Sequence, residues 1–213
     1  MQENKAIPYL SDYDENVIMY NIFNPPPLEG FNDSKELSLN LTLGEVRKSS
    51  FVTDAEKNQF YQIPIDSRLI QAFQIIREAL NSPITLSSSF RSYSHEIKKG
   101  RFGTSQHVEG KAFDLVGVGL VDLLKEALST KNKLYQRLRA VGVNGVGIYE
   151  NKNFIHIDTR EPNYLGGYDF WSGEEDDEIK KKSSSSLLTK ISLGISLVMV
   201  AVGIYKKIKD WRR

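Results

Sequence analysis

Three residues that can bind a metal ion stand out in a chain with three histidines and no cysteine. The stretch SQHVEGKAFDLVG places His107 seven residues before Asp114, with Gly110 between them, and His156 lies further on in NFIHIDTR. Two imidazoles and one carboxylate, with a fourth position left for water, describe a catalytic zinc site. Zinc in such a site lowers the pKa of its water to roughly 7 and so supplies hydroxide at neutral pH. From spacing alone, a surface histidine followed by an aspartate at a strand end explains the pattern as well.

The segments that carry these residues are predicted to be β-strands and their loops. In KAFDLVG, alternation places Asp114 on one face and Phe113 and Leu115 on the other. GVGIY and FIHIDT flank the turn ENKN, which predicts a hairpin in which His156 and Asp158 share a face. ITLSSS, upstream of both segments, predicts a further strand.

The helices are predicted from apolar periodicity. IDSRLIQAFQIIREALNSP predicts a helix that Asp66 or Ser67 caps and that Asn81 and Pro83 end. A short helix is predicted near Thr42, and GLVDLLKEALSTKNKLYQRLRAVGVNG predicts one or two more. Helices and antiparallel strands come in separate blocks. The predicted fold class is therefore α+β, with a small antiparallel sheet and flanking helices.

The residues around the first histidine also match a family pattern. SQHVEGKAFDL fits S-x-H-x-x-G-x-A-x-D, which resembles the zinc D-alanyl-D-alanine peptidase family, including phage L-alanyl-D-glutamate endolysins and the vancomycin-resistance dipeptidases. ITLSSSFRS and GVGIYENKNFIHIDTR are similar to that family's strand-then-arginine element and closing hairpin, and the resemblance spans Pro64 to Trp171. It implies a single zinc peptidase domain in which His107, Asp114 and His156 bind zinc.

The resemblance also implies residues that bind substrate. Arg91 would grip a carbonyl or carboxylate of the substrate and stabilise the tetrahedral oxyanion, because a guanidinium offers a planar pair of donors; a surface arginine is the alternative. Ser105 either hydrogen-bonds the substrate or caps a turn. His95 has no counterpart in the family and is predicted to be an exposed loop residue. Tyr164 and Trp171 would wall the cleft or close the core.

The general base is assigned to Glu150 by a further resemblance. One branch of the family has an acid three residues before the last ligand, where Asn153 stands here. The spacing of Glu150 from His156 is similar to Y-E-x-K-x-x-I-H in the hedgehog signalling domain, a relative with the same zinc scaffold. From the turn, its carboxylate would take a proton from the water and deliver it to the leaving amine. A solvated turn glutamate is the alternative, and Asp158 is either the competing acid or a partner that orients a ligand imidazole.

The composition changes sharply towards the C-terminal end. The predicted divisions are 1–172, the peptidase domain with an N-terminal extension; 173–186, a charged and serine-rich linker; 187–205, a transmembrane helix; and 206–213, a basic tail. Residues 191–205 contain no charge and are apolar all round a helix, although a membrane span needs at least ~17 apolar residues. A buried amphipathic helix is the alternative.

These observations predict a zinc metallopeptidase that hydrolyses a peptide bond in the peptidoglycan stem, as a D,D- or L,D-carboxypeptidase or endopeptidase, held at a membrane by its C-terminal helix. The polar start MQENKAIPYL predicts no secretory signal peptide, so we expect a phage or prophage lysis protein, or a virion component, that acts on the cell wall. The net charge of +1 argues against a nucleic-acid partner. The alternatives are a non-catalytic, zinc-stabilised binding module and a membrane-anchored virion structural protein.

Overall fold

The computed structural model describes residues 15–21, 33–60, 62–162 and 169–173 of the 213-residue chain. Contacts divide the chain between Ser172 and Gly173, and the description below concerns the part before this boundary. The predicted linker beyond Gly173, the predicted transmembrane helix, the basic tail and Tyr164 lie outside the described residues. Within the described ranges, no helix combines the length and apolar character that a membrane crossing requires.

The described residues form a mixed set of short strands and helices, which confirms the predicted α+β class. In chain order the elements are β1 (Val17–Asn21), β2 (Glu36–Ser38), β3 (Leu41–Thr42), α1 (Leu43–Val46), α2 (Asp54–Lys57), β4 (Gln62–Asp66), α3 (Ser67–Leu80), β5 (Thr85–Ser88), α4 (Tyr93–Lys98), β6 (Ala112–Val116), α5 (Leu120–Thr130), α6 (Lys133–Ala140), β7 (Gly145–Tyr149), β8 (Phe154–Asp158) and β9 (Asp169–Ser172). One turn of 3-10 helix, Glu150–Lys152, joins β7 to β8.

The main sheet has five strands in the order β5-β6-β8-β7-β9. Asp114 on β6 is paired with His156 on β8, which is paired on its other side with Gly147 on β7. Asp158 is likewise paired with Gly145. Residues directly opposite each other in neighbouring strands point to the same side of a sheet. One face, hereafter the metal face, therefore carries these two acids, the histidine and the two glycines.

The other face of the sheet is apolar and belongs to the hydrophobic core. Phe113 and Leu115 from β6 and Ile155 and Ile157 from β8 are completely buried in it. Three helices, α3, α5 and α6, supply further buried side chains, among them Leu69, Phe73, Ile76, Leu120, Leu124, Leu134 and Leu138. Burial of one such side chain stabilises a fold by about 1.5–3 kcal/mol, so this face anchors the sheet. The metal face is thereby left for polar groups.

Helix α3 begins and ends where the sequence predicts. Asp66 is its N-cap and accepts a hydrogen bond from the backbone N–H of Arg68 at 2.9 Å. Asn81 ends the helix in the left-handed conformation, with φ of 49°. Asp66 also accepts a hydrogen bond from the hydroxyl of Thr159 at 2.6 Å. This contact ties the start of the helix to the residue that follows β8, close to the third predicted ligand.

Two parts of the sheet structure differ from the prediction. Strands β1 and β4 pair with each other although they lie far apart in the sequence, and β4 contains Pro64, a residue type that is depleted in strands. Neither strand was predicted, because local alternation does not reveal a distant partner. Strand β9 pairs in parallel with β7, so the main sheet is not purely antiparallel.

Helix α4 corrects the prediction of a loop around His95. Ser92 caps this helix by accepting a hydrogen bond from the backbone N–H of His95 at 3.2 Å. The His95 ring is half-buried, with Nδ1 3.4 Å from the carbonyl oxygen of Phe51. His95 lies outside the group of described side chains that could hold a metal.

Candidate active site

The side chains of His107, Asp114 and His156 converge on one point of the metal face and are called the metal cluster below. His107 Nε2 lies 3.1 Å from Asp114 Oδ1 and 3.2 Å from His156 Nδ1, and the last two atoms are 2.8 Å apart. Tetrahedral zinc with bonds of about 2.0–2.1 Å to nitrogen and oxygen holds its ligand atoms about 3.3–3.4 Å apart. The cluster therefore has nearly the dimensions of a zinc site, and all three residues are buried.

A tight turn brings His107 to the cluster. The backbone N–H of Val108 donates to the carbonyl of Ser105 at 2.9 Å, and that of Gly110 donates to the carbonyl of His107 at 3.2 Å. Gly110 has a φ of +72°, and a Cβ placed on it would meet the carbonyl oxygen of Pro64 at 2.2 Å. Only glycine satisfies both conditions, which explains why a glycine stands between the first two predicted ligands.

The hydrogen bonds on the outer side of the two rings determine which nitrogen carries the proton. His107 Nδ1 donates to the carbonyl oxygen of Ser89 at 2.5 Å, and His156 Nε2 donates to Asp158 Oδ2 at 3.0 Å. The inner nitrogens, His107 Nε2 and His156 Nδ1, then carry lone pairs. With Asp114 Oδ1, three acceptors face one another at about hydrogen-bond distance. Three acceptors so close together repel one another, and a cation bound between them would remove this repulsion. The donor set therefore fits zinc.

The pKa values of the cluster reflect burial and the close carboxylates. Burial lowers the pKa of His107, which favours the neutral ligand form. Burial alone would raise the pKa of Asp114, but the two imidazoles outweigh it and lower that pKa well below its usual value. For His156, burial is outweighed by hydrogen bonds to Asp114 and Asp158, which raise the pKa. A bound metal would compete with a proton for Nδ1 of His156, so we expect the metal affinity of the cluster to fall at acid pH.

Asp158 holds the outer side of His156. Its carboxylate also accepts hydrogen bonds from Arg160 Nε at 2.8 Å and Arg160 Nη2 at 2.6 Å. Burial would raise the pKa of Asp158, but His156 and Arg160 lower it to about 2, so the group is ionised at neutral pH. Gly145 makes room for this carboxylate, since a Cβ there would meet its oxygens at 2.4 Å. The contacts match the predicted alternative in which Asp158 orients a ligand imidazole.

Arg91 reaches the metal cluster through Asp114. Its Nη2 donates to Asp114 Oδ2, the oxygen that faces away from the two histidines, and its Nε donates to Ser88 Oγ at 3.0 Å. The side chain retains 15% of its exposure. Arg91 thus lies beside the metal cluster, with one of its donors committed to a predicted ligand.

Ser105 and Glu150 occupy different surroundings. Ser105 Oγ accepts a hydrogen bond from the backbone N–H of His107 at 3.3 Å, which corresponds to the turn-capping alternative. Glu150 lies in the 3-10 turn after β7. Its side chain is 46% exposed, and its Oε1 is 2.8 Å from Lys125 Nζ on α5. The structure does not bring Glu150 into the metal cluster.

Aromatic side chains border the cluster on the metal face. The Trp171 ring centroid is 5.4 Å from that of His156, and its Nε1 donates to the Tyr149 hydroxyl at 3.0 Å. Tyr149 in turn stacks on Phe154 with centroids 4.2 Å apart. Gly147 lies under the indole, where a Cβ would meet the ring at 2.6 Å. Trp171 therefore forms a wall beside the third predicted ligand, one of its two predicted roles.

Several contributors were not identified from the sequence. The carbonyl of Ser89 orients His107, Arg160 holds Asp158, and Gly145 and Gly147 leave space on β7. The position of Arg160, two residues after Asp158, was a usable signal, because residues two apart in an extended segment lie on the same side. A backbone carbonyl carries no such signal, because any residue type supplies it.

The fold thus places three potential metal ligands together on one face of the main sheet. The model of the Peptidase M15 family matches residues 38–158, more than half of the chain, and the chain belongs to this family. This confirms the resemblance to zinc D-alanyl-D-alanine peptidases. A curated relative, the probable peptidoglycan L,D-endopeptidase MepK of Haemophilus influenzae, is 32% identical over 116 residues. The alignment covers 50% of this chain and spans only about half of that relative, 55% of its length.

Proposed function

We propose that this chain hydrolyses a peptide bond in the stem peptide of peptidoglycan with zinc as its cofactor. The observation that carries the proposal is the metal cluster, in which three buried acceptors meet and both rings are held with their protonated nitrogens outward. Membership of the Peptidase M15 family supports hydrolysis of a peptide bond. The name of the Haemophilus relative supports peptidoglycan as the substrate and favours an L,D bond.

The residues of the chain divide the work of such a reaction. His107, Asp114 and His156 would hold the zinc, which when bound supplies hydroxide from water at neutral pH. Arg91, beside Asp114, would orient a carbonyl or carboxylate of the substrate and stabilise its developing negative charge. Trp171 limits the approach to the third ligand from one side.

Digestion of purified peptidoglycan, followed by mass analysis of the products, tests the proposal. We expect stem-peptide fragments that appear with zinc and disappear after chelation. The masses distinguish cleavage of an L,D bond from cleavage of a D,D bond. A zinc-loaded protein that releases no fragment would instead support the non-catalytic binding module.

The identity of the base remains a prediction, which two variants test. We expect Asp158→Asn to lower hydrolysis by roughly 10–100-fold, because it weakens the hydrogen bond that orients His156. We expect Glu150→Gln to change hydrolysis only a few-fold, since its carboxylate pairs with Lys125 at the surface. Steady-state rates of the two variants at equal zinc occupancy are the measurement. A loss of about 10²–10⁴-fold in Glu150→Gln with zinc retained would identify Glu150 as the base, as the sequence predicts.

We further propose that the chain is anchored to a membrane by residues 187–205 and acts on the cell wall as a phage or prophage lysis protein. The support is the uncharged run 191–205, with lysines on both sides, and the phage endolysins in the family it resembles. A virion component is the other setting in which such a chain would meet the cell wall.

Truncation tests the anchor. We expect the full-length protein to partition into detergent or vesicles, and a chain ending at Gly173 to remain in the aqueous phase with unchanged hydrolysis. All described site residues, and β9 in full, precede this point. Flotation with vesicles and a hydrolysis assay give the two readouts. A truncated chain that no longer folds would show that the apolar segment belongs to the core.

A further inference from the structure

Glu96 on α4 is a completely buried carboxylate that the proposed reaction does not use. Its side chain has no exposed surface, and its Oε1 accepts a hydrogen bond from Arg101 Nη1 at 2.8 Å. The same oxygen lies 3.6 Å from Arg91 Nη1. The second oxygen, Oε2, is buried and has no hydrogen-bond partner among the described residues. Burial of a carboxylate is costly unless cations compensate it, so this position calls for an explanation.

Arg101 alone does not explain a buried acid. The Arg101 side chain is 48% exposed and would be solvated by water without any partner. Arg91 retains only 15% of its exposure, so its charge depends on protein groups. Two carboxylates face the Arg91 guanidinium, Asp114 at Nη2 and Glu96 at Nη1, while Ser88 accepts from Nε. Glu96 is thus the acid that supports Arg91 from the side away from the metal cluster.

We propose that Glu96 is a positioning residue that acts on the metal cluster through Arg91; the inference rests on the zinc-dependent function proposed above. An arginine on Asp114 competes with a metal for the negative charge of that carboxylate. Glu96 draws the Nη1 side of the guanidinium towards itself and offsets part of its charge. Arg91 then stays on Oδ2 of Asp114, and Oδ1 remains directed at His107 and His156.

The test is a double-mutant cycle between Glu96→Gln and Arg91→Ala, with zinc affinity as the first readout. Competition with a chelator measures the zinc dissociation constant without any need for hydrolysis. In the otherwise unchanged protein, we expect Glu96→Gln to weaken zinc binding and to lower kcat/KM, each by roughly 3–10-fold, less than for a direct partner of a ligand. In the Arg91→Ala background, the same change should have no further effect on zinc binding.

Arg101→Gln is the matched control, because it removes the other partner of the same carboxylate. We expect this variant to change zinc affinity and kcat/KM less than twofold. Equal losses on zinc binding from Glu96→Gln with and without Arg91 would overturn the proposal, as would an unchanged zinc affinity in the single variant. If Glu96→Gln does not fold, Glu96→Asp keeps the charge but withdraws it by one methylene, and the same coupling to Arg91 is expected at smaller size; its absence would also overturn the proposal.

The outcomes for Glu96 and for the proposed function are separable. If zinc binding shows coupling between Glu96 and Arg91 but no stem peptide is released, the positioning role of Glu96 stands and the proposed hydrolase activity is overturned. If the protein hydrolyses peptidoglycan but its zinc affinity does not change in Glu96→Gln, the proposed function stands and the positioning role of Glu96 is overturned.

Discussion

His107→Ala is expected to abolish both zinc binding and hydrolysis. The substitution removes one of three ligands whose donor atoms lie within about 3 Å of one another, and the remaining two cannot hold zinc tightly. We expect one zinc per chain in the unaltered protein and almost none in the variant, by elemental analysis after dialysis. The variant should also unfold at lower temperature, because metal binding energy contributes to folding.

His95→Ala is the matched control for this prediction. It removes an imidazole that is also partly buried but lies on α4, outside the metal cluster. Zinc content and hydrolysis should persist in this variant. An unaltered protein that contains no zinc after purification with added zinc would contradict the assignment of the cluster.

Gly110→Ala is expected to destabilise the domain by roughly 3 kcal/mol or more, which is exceptional for the addition of one methyl group. The methyl would stand 2.2 Å from the carbonyl oxygen of Pro64, a backbone atom that cannot turn away. The carbonyl oxygen of Gly110 also accepts a hydrogen bond from the backbone N–H of Asp66 at 2.9 Å, so a shift of the turn would disturb the start of α3. Denaturant unfolding measures the loss, and zinc affinity should fall with it because the same turn carries His107.

Gly100→Ala separates the clash from backbone strain. Gly100 has the same φ of +72°, but a Cβ there would meet no atom within 4 Å. We expect this variant to lose only about 1–2 kcal/mol, the cost of a left-handed conformation for alanine. Similar losses in both variants would mean that the contact with Pro64 relaxes and that strain alone limits the turn.

Part of the metal cluster was predictable from local rules. Alternation along β6 and β8 fixes the faces of Asp114 and His156, and the hairpin turn fixes the pairing of β7 with β8. The position of His107 required the family pattern, since a loop has no periodicity from which its direction could be derived. The capping of α3 by Asp66 followed from its side-chain chemistry.

The remainder depends on contacts that sequence neighbours do not determine. Glu150 follows Tyr149, whose ring lies on the metal face, but the conformation of the turn and the presence of Lys125 on α5 decide where its carboxylate goes. The pairing of β1 with β4 and the parallel addition of β9 join segments whose partners are distant in the chain. Glu96 was not identified from the sequence, because its burial depends on contacts with Arg91 and Arg101, which lie on either side of α4.

The orientations of the two imidazoles differ in how easily a single substitution can disturb them. The ring of His107 donates to the main-chain carbonyl oxygen of Ser89, which any amino acid at that position would still supply. The ring of His156 donates to the side chain of Asp158, which a substitution can remove. In a library of all single substitutions, loss-of-function variants that act through ring orientation should therefore cluster around His156. For His107, such variants should arise only where the path of the main chain itself is displaced, as at Gly110. A natural lineage drifting under weak selection would lose the orientation of the third ligand before that of the first.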